Sequence, residues 1–503
     1  MVYPSLKEFV QLTQKGNLIP VYKEIMGDLV TPVSSYLHLA SKSKYSFLLE
    51  SVEGEEKIAR FSFFSKDPEL VLTIKGNKAQ LIKFVRGKKR VEHSTIKDNP
   101  LVFIRQLMKP YRFVQVKGLP RFCGGLVGYI SYDTSRFFEK LPNKTSDDLK
   151  LPDVVLIMAK ELLIFDHAKH SLKVLCCADV PEKSTLKQKE KAYQKAVSRI
   201  DLLISEIKKP LKGQKNKIGL TTKKSLELKP QSNFTQAAFE KIVEKGQEHI
   251  RSGDIIQVVL SQRFEVPLTT DPFNFYRSLR SLNPSPYMYY LHLGDLKIAG
   301  ASPELLVRCE DGVVETRPIA GTRPRGKTKE EDAQLAQELL NDPKEIAEHI
   351  MLVDLGRNDL GRVCQQGSVN VSEFMKIEKY SHVMHIVSNV KGKLSQGKDS
   401  FDVLQAAFPA GTVSGAPKIR AMEIIEDLER ERRGPYAGCI GYFSFSGNLD
   451  SCITIRTIVV NKKKAYIQAG AGIVADSIPE KEYQETVNKA KAQINALALA
   501  QTL

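Results

Sequence analysis

In the first part of the chain, residues 1 to about 210, apolar and polar residues alternate in short runs joined by tight turns and not by helices. A period of two buries one face of a strand. Tyr45 to Val52, Arg60 to Phe64, and the pair Leu70 to Ile74 and Ala79 to Phe84 around Lys75-Gly76-Asn77 read as antiparallel strands. Gly124 to Tyr132 gives another, and a hairpin is expected from Val154 to Phe165 with Leu172 to Cys176. A doubly wound parallel sheet needs a helix between successive strands. The pattern therefore predicts an α+β fold of largely antiparallel sheets with helices packed outside.

From Pro181 to Ser232 the composition shifts to Lys, Glu, Gln and Ser. A helix is expected over Leu186 to Ile207, followed by a basic linker, KKPLKGQKNKIGLTTKKSLELKP, and a domain boundary is placed there, dividing 1–215 from 216–503. The second part opens with a helix from Phe234 to Ser252, ended by Gly253, and a strand from Ile255 to Phe264. A helix from Pro272 to Leu282 and strands near Tyr287 to Leu293 and Leu296 to Ala299 follow. Near the end, Cys439 to Phe445, a turn at Gly447-Asn448, a strand Ser451 to Val460, a turn at Lys462 to Lys464 and Ala465 to Ala469 form a meander. Alternation puts Ile453 and Ile455 on one face of that strand, and Thr454 and Arg456 on the other. A buried arginine there needs either an internal salt bridge or a bound carboxylate.

A net charge of +17 over 503 residues raises nucleic acid as a partner, but much of the excess lies in Lys-rich segments such as Lys187 to Lys224 and not on one face. No nucleic-acid partner is expected. Seven cysteines without CxxC or Cys/His metal spacing indicate a reduced, intracellular protein, and Cys176 and Cys177 should point to opposite sides of a strand. The N-terminus, MVYPSLKEFVQLTQKGN, has no signal-type apolar core, and no run is long enough to span a membrane. Cytoplasm is the expected location. Tryptophan is absent from the chain.

Two helices carry carboxylates three residues apart. In the first, Asp342 caps, Pro343 fits the first position, and Ile346, Ile350 and Val353 form the buried stripe, leaving Glu345 and Glu348 together on one face. In the last helix Ser477 caps, Pro479 sits just inside, and Val487, Ala490 and Ile494 are apolar, with Glu482 and Glu485 paired likewise. Each pair also has an ordinary explanation: Glu345 can close a capping box, and Glu485 can pair with Lys489. Gly470-Ala471-Gly472-Ile473-Val474-Ala475 matches a dinucleotide fingerprint formally, but no parallel strand follows it; its glycines better serve close backbone approach to an anion.

The surrounding text resolves these alternatives. Pro318-Ile319-Ala320-Gly321-Thr322-Arg323-Pro324-Arg325-Gly326, Glu348-His349-Ile350-Met351-Leu352-Val353-Asp354-Leu355 with Arg357-Asn358-Asp359, and Gly411-Thr412-Val413-Ser414-Gly415-Ala416-Pro417-Lys418 resemble the chorismate-utilising enzymes. Within them the resemblance is nearest to the anthranilate synthase component I family and covers nearly the whole chain. It implies the chorismate-utilising enzyme fold, with a regulatory tryptophan site in 1–215 and catalysis in 216–503. It further implies conversion of chorismate and ammonia to anthranilate and pyruvate, with Mg2+ held by Glu345, Glu348, Glu482 and Glu485.

By the same resemblance Glu304 is the acid at the departing hydroxyl, Thr322 contacts the ring hydroxyl, and His385 serves pyruvate elimination. Thr412, Tyr442, Arg456, Gly470, Ala471 and Gly472 are expected to bind substrate, the last five at its enolpyruvyl carboxylate. Leu49, Glu50, Ser51 and Arg60, with Pro286, Tyr287 and Met288, resemble the family's tryptophan inhibitor site. Relatives that use a lysine nucleophile or a lysine base carry it where this chain has Ala320 and Gln257, which leaves external ammonia as nucleophile. Cys123 lacks the flanking pattern of a glutaminase nucleophile, so a separate amidotransferase subunit, component II, is the expected ammonia source. The competing identities are an aminodeoxychorismate synthase of folate synthesis, a tryptophan-binding module without catalysis and a nucleic-acid-binding protein.

Overall fold

The computed structural model describes residues 1–51, 60–85, 88–209, 228–268, 270–380 and 383–503. Val52, much of the basic linker and the boundary at 215 and 216 lie outside these. Two antiparallel sheets dominate. The first runs in the order Leu18–Met26, Ser171–Asp179, Glu161–Asp166, Phe61–Lys66, Tyr45–Glu50, Tyr287–Leu293, Leu296–Ser302, Thr457–Asn461, Lys464–Ile473 and Gln257–Pro267, with short strands at its margins. The second runs Ile319–Pro324, Val383–Lys393, Val313–Thr316, Leu305–Glu310, Leu449–Ile453, Cys439–Ser444, Gly125–Ile130, Val154–Ala159, Leu70–Lys75, Lys78–Val85 and Lys88–Thr95.

Each sheet takes strands from both sides of the sequence boundary. Glu50 is opposite Met288 in the first, and Ile130 is opposite Cys439 in the second. One continuous apolar cluster, including Phe47, Leu48 and Tyr289 of the first sheet and Leu72, Leu126 and Ile440 of the second, fills the space they share. Burial of this apolar surface is the main favourable term holding the sheets together.

Several runs that read as single strands change sheets partway. Val154 to Phe165 divides at Lys160 into Val154–Ala159 of the second sheet and Glu161–Asp166 of the first. Ser451 to Val460 divides likewise: Leu449–Ile453 belongs to the second sheet and Thr457–Asn461 to the first. Between them Ile455 N–H donates to Ile453 O (2.9 Å), and Arg456 takes φ +52°, so the expected alternation of faces breaks there. A neighbouring crossing runs the other way, from Leu296–Ser302 through Pro303-Glu304 to Leu305–Glu310. The two crossings are stitched by Ile453 N–H to Glu304 O (3.1 Å), Ala301 N–H to Arg456 O (3.2 Å) and Ser302 Oγ to Ile453 O (2.7 Å).

Helices flank the sheets. Pro343–Gly361 packs on Ile319–Pro324 and Val383–Lys393 of the second sheet, whereas Pro479–Ala500 packs on Lys464–Ile473 of the first. Among the described residues no helix is long and apolar enough to cross a membrane. At the centre of the second sheet, Gly128 pairs with Gly441, and a Cβ on Gly128 would lie 2.0 Å from Val155 O. Gly128→Ala should therefore destabilise the protein by about 1 to 3 kcal/mol or more through overpacking, read as a lower urea midpoint.

Candidate active site

The paired crossings open onto a cavity of about 570 Å³ whose walls come from both sheets. Helix Pro343–Gly361 begins as expected: Asp342 Oδ1 accepts from the Lys344 and Glu345 N–H groups at 3.0 and 3.3 Å. Glu345 and Glu348 both line the cavity. The buried face of this helix is His349, Leu352, Val353, Gly356 and Leu360, not the stripe through Ile350, which is 42% exposed. His349 lies on the buried face, its Nε2 2.6 Å from Ser388 Oγ.

Glu482 and Glu485 also line the cavity, carried on helix Pro479–Ala500. The N-cap there is Ile478, not Ser477; Pro479 sets the start one residue later, and Ser477 Oγ instead accepts from Val474 N–H at 3.1 Å. Burial pushes the Glu345 and Glu482 carboxyls upward, and the adjacent Glu348 and Glu485 charges add to the rise. Arg323 Nη1 lies 3.1 Å from Glu345, Lys489 Nζ 2.6 Å from Glu485, and Gln257 Nε2 donates to Glu348 at 3.1 Å.

Among the described residues no three acidic, His or Cys side chains converge closely enough to form a ready metal cage. Two carboxylate pairs lining one cavity nevertheless suit a hard divalent ion that keeps several waters and shares an anionic ligand. The donor chemistry fits Mg2+ in that manner.

Glu304 sits at the first crossing, with burial pushing its carboxyl up to about 7 and the nearby Thr412 hydroxyl opposing the rise. Thr412 Oγ1 itself is buried without a well-formed hydrogen bond. A carboxyl so raised gains and loses its proton near neutrality, where an ordinary glutamate is fully ionised. Thr322 and His385 are also in the cavity, cross-strand neighbours with Oγ1 and Nδ1 3.1 Å apart. His385 Nδ1 lies 2.9 Å from Gly321 O, a carbonyl that only accepts, which assigns the proton of the neutral ring to Nδ1 and leaves Nε2 as an acceptor without a partner among the described residues. Burial depresses the pKa of His385 and favours this neutral form.

Arg456, at the second crossing, is held by one hydrogen bond from Nη1 to Lys489 O (2.8 Å), and among the described residues no carboxylate pairs with it. The internal salt bridge is thus not formed, and the guanidinium faces the cavity with donors to spare. Gly470 and Gly472 line the wall beside it. A Cβ on Gly470 would lie 2.7 Å from the Tyr436 hydroxyl, and one on Gly472 2.7 Å from Gln257 Nε2. Ala471 points the other way, into the apolar cluster with Val258, Leu260 and Ile473, because neighbours on a strand alternate.

Tyr442 is not in this cavity. It belongs to strand Cys439–Ser444, faces a second cavity, and stacks on Phe122 at 4.2 Å. The tyrosine beside Arg456 and Gly470 is Tyr436, which sequence reasoning missed along with Lys489 and Gln468. The turn Arg433-Gly434-Pro435-Tyr436, with Gly434 at φ +58°, was the available signal for the first. Ala320 and Gln257 both line the active cavity.

The second cavity, about 800 Å³, is lined by Leu49, Glu50, Ser51, Arg60, Pro286, Tyr287 and Met288 together. Glu50 is buried and accepts from Tyr276 Oη and Arg280 Nε (3.1 Å), while Arg60 pairs with Asp166 at 2.9 Å. Tyr287 Oη donates to Asp450, which also receives Arg308 and Arg121. Ser51 Oγ and the Tyr442 hydroxyl are buried without partners among the described residues. Cys123 is inert by contrast: its thiol donates to Pro120 O at 2.8 Å, and burial pushes its pKa up to about 12.

The site is a cleft between two interleaved antiparallel sheets, walled by acidic pairs and by an arginine that among the described residues has no carboxylate partner. The family model described as chorismate binding enzyme matches residues 82–495, and the chain belongs to that family. Along its whole length it is similar to anthranilate synthase component 1 of Acetivibrio thermocellus, with 50% identity over 498 residues covering 99% of each chain. The component 1 of Aquifex aeolicus is 49% identical over 502 residues, covering 99% of this chain and 98% of the relative. The crystal structure of anthranilate synthase component I from Streptococcus pneumoniae superposes with a TM-score of 0.76 at 38% identity, covering 93% of this chain and 98% of that one.

The raised Glu304 pKa has a consequence for stability. The folded state holds a proton that the unfolded chain releases near its ordinary value of 4.5, so stability present below 4.5 is lost as pH rises through about 7. Glu304→Gln lacks this titration. Its stability relative to the parent should rise across that window and level off above it, measured by urea unfolding at several pH values.

Proposed function

We propose that the chain is the large subunit of an anthranilate synthase, converting chorismate and ammonia to anthranilate and pyruvate in tryptophan synthesis. The observation that carries this reading is the meeting of Glu345, Glu348, Glu482 and Glu485 with Glu304, His385 and Arg456 around one cavity. Arg456, with Tyr436 and the backbone at Gly470 and Gly472, receives the enolpyruvyl carboxylate. Planar N–H donors without another carboxylate suit that anion. Thr322 orients the ring at its hydroxyl, and protonated Glu304 delivers a proton to the departing oxygen as ammonia adds. His385, with Nε2 unprotonated, then accepts the proton whose loss accompanies pyruvate elimination.

Glu345, Glu348, Glu482 and Glu485 would hold Mg2+ with waters. The ion, when bound, supplies Lewis-acid polarisation and charge neutralisation at the ring carboxylate. At the two positions where relatives carry a reactive lysine, Ala320 and Gln257 supply none, and the cavity's own Lys489 is held by Glu485 and Gly470 O, which supports ammonia as the attacking group and disfavours aminodeoxychorismate synthase relatives that attack through lysine. Ammonia is supplied by a separate glutamine-hydrolysing subunit, consistent with the inert Cys123 thiol and with the name component 1 carried by the relatives. The cytoplasm is the proposed compartment.

The second cavity is the proposed feedback site for tryptophan. Glu50 and the unpartnered Ser51 hydroxyl suit its ammonium group, and Met288 with Leu49 suits the indole.

The purified chain should form anthranilate, followed by its fluorescence, from chorismate, ammonium and Mg2+ but not from glutamine. Absence of turnover with ammonium, or turnover with glutamine and no second subunit, refutes this assignment. Glu348→Gln should lower kcat/KM by about 100-fold or more, with a raised Mg2+ requirement. Ser51→Leu should raise the tryptophan concentration for half-inhibition by about tenfold, equivalent to about 1.4 kcal/mol, at unchanged kcat.

A further inference from the structure

Behind the active cavity, and not lining it, lies a buried ion pair that the proposed chemistry does not use. Arg433 and Glu429 are 4% and 6% exposed, and their side chains meet twice, Nη2 to Oε1 at 2.5 Å and Nε to Oε2 at 2.9 Å. Arg433 spends its other donors on backbone: Nη1 donates to Val413 O at 2.6 Å and Nη2 to Val259 O at 2.8 Å. Its guanidinium also lies 4.7 Å from the Tyr132 ring centroid and 5.6 Å from that of Tyr436.

Val259, Val413 and Tyr436 each line the cavity, on a strand, on the loop after Thr412 and on the turn that delivers the carboxylate-facing tyrosine. Glu429 extends the reach. Its Oε1 accepts from Ser261 N–H (2.9 Å) and Ser261 Oγ (2.8 Å), and Ser261 Oγ accepts from Gln468 Nε2 (2.9 Å), a further cavity residue. One planar cation and its partner therefore touch three separate pieces of the wall and reach a fourth, Gln468, through Ser261. Only a guanidinium can face two carbonyls, a carboxylate and two aromatic rings from a single plane; an ammonium radiates its donors from one atom.

We propose that Arg433, oriented by Glu429, is a positioning residue for the substrate cavity, holding strand Gln257–Pro267, the Thr412–Val413 loop, Tyr436 and Gln468 in register. This rests on the reading of the cavity as the chorismate site. Arg433 touches no substrate atom; it acts through Tyr436 and the Thr412 loop, so its loss shows as weakened chorismate binding in a folded protein.

The test compares Arg433→Lys, Glu429→Gln and the mild Ser261→Ala, each as the full chain, by circular dichroism, thermal melting and steady-state kinetics with ammonium as nitrogen source. Arg433→Lys should raise KM for chorismate by about tenfold and lower kcat, while KM for ammonium stays within about twofold. Glu429→Gln should shift chorismate KM in the same direction, and Ser261→Ala by about two- to threefold. If Arg433→Lys does not fold, the other two decide. Folded variants with unchanged KM for chorismate, losing only melting temperature and apparent kcat, would mark a purely structural pair and overturn the proposal. Failure of the parent chain to turn over chorismate would instead overturn the reading of the cavity.

Discussion

The active cavity depends on two chain crossings held side by side by three hydrogen bonds. Where Leu296–Ser302 leaves the first sheet, Glu304 is carried into the gap. Where Leu449–Ile453 returns from the second, Arg456 is carried in beside it. Neither side chain needs a loop of its own, because the backbone between sheets is already bound by Ile453 N–H to Glu304 O and Ala301 N–H to Arg456 O. Arg456 adopts a left-handed conformation, φ +52°, which costs a non-glycine residue about 1 to 3 kcal/mol. That cost is sustained by the surrounding pairings, and the result is an arginine fixed at its backbone but short of a counter-charge.

The electrostatic plan follows from this placement. A guanidinium and a carboxyl whose pKa burial raises to about 7 occupy the crossings, while four more carboxylates arrive on helices packed on different sheets. The acidic pairs are only partly offset by Arg323 and Lys489, so the cavity has one anion-seeking end and one cation-seeking side. A bound anion and a bound cation together would satisfy both, and either alone would leave an imbalance.

What was legible in the chain was mostly local. The Asp342-Pro343 start, the two ExxE pairs, the antiparallel class and the shared wall of Glu50, Ser51, Tyr287 and Met288 all depend on short spacings and motif text. What was not legible is long-range. A strand that changes sheets has the same period-two pattern as one that does not, so Ser451 to Val460 read as continuous although it breaks before Arg456. The resemblance, not periodicity, puts Tyr442 with Arg456: lying on Cys439–Ser444, it is committed to the other cavity, and Tyr436 reaches the active one from a turn. Periodicity points Ile350 inward, but the buried face runs through His349, which meets Ser388, a contact invisible in a helical wheel.

The interleaving of the sheets bears on how the chain is made. Tyr45–Glu50 and Gly125–Ile130 leave the ribosome long before Tyr287–Leu293 and Cys439–Ser444, the neighbours that close them, have been synthesised. Until then those apolar strands present open edges, which are templates for wrong pairing. Nascent polypeptides of this protein must therefore wait, shielded or unfolded, until almost the last strand has been translated before either cavity can exist.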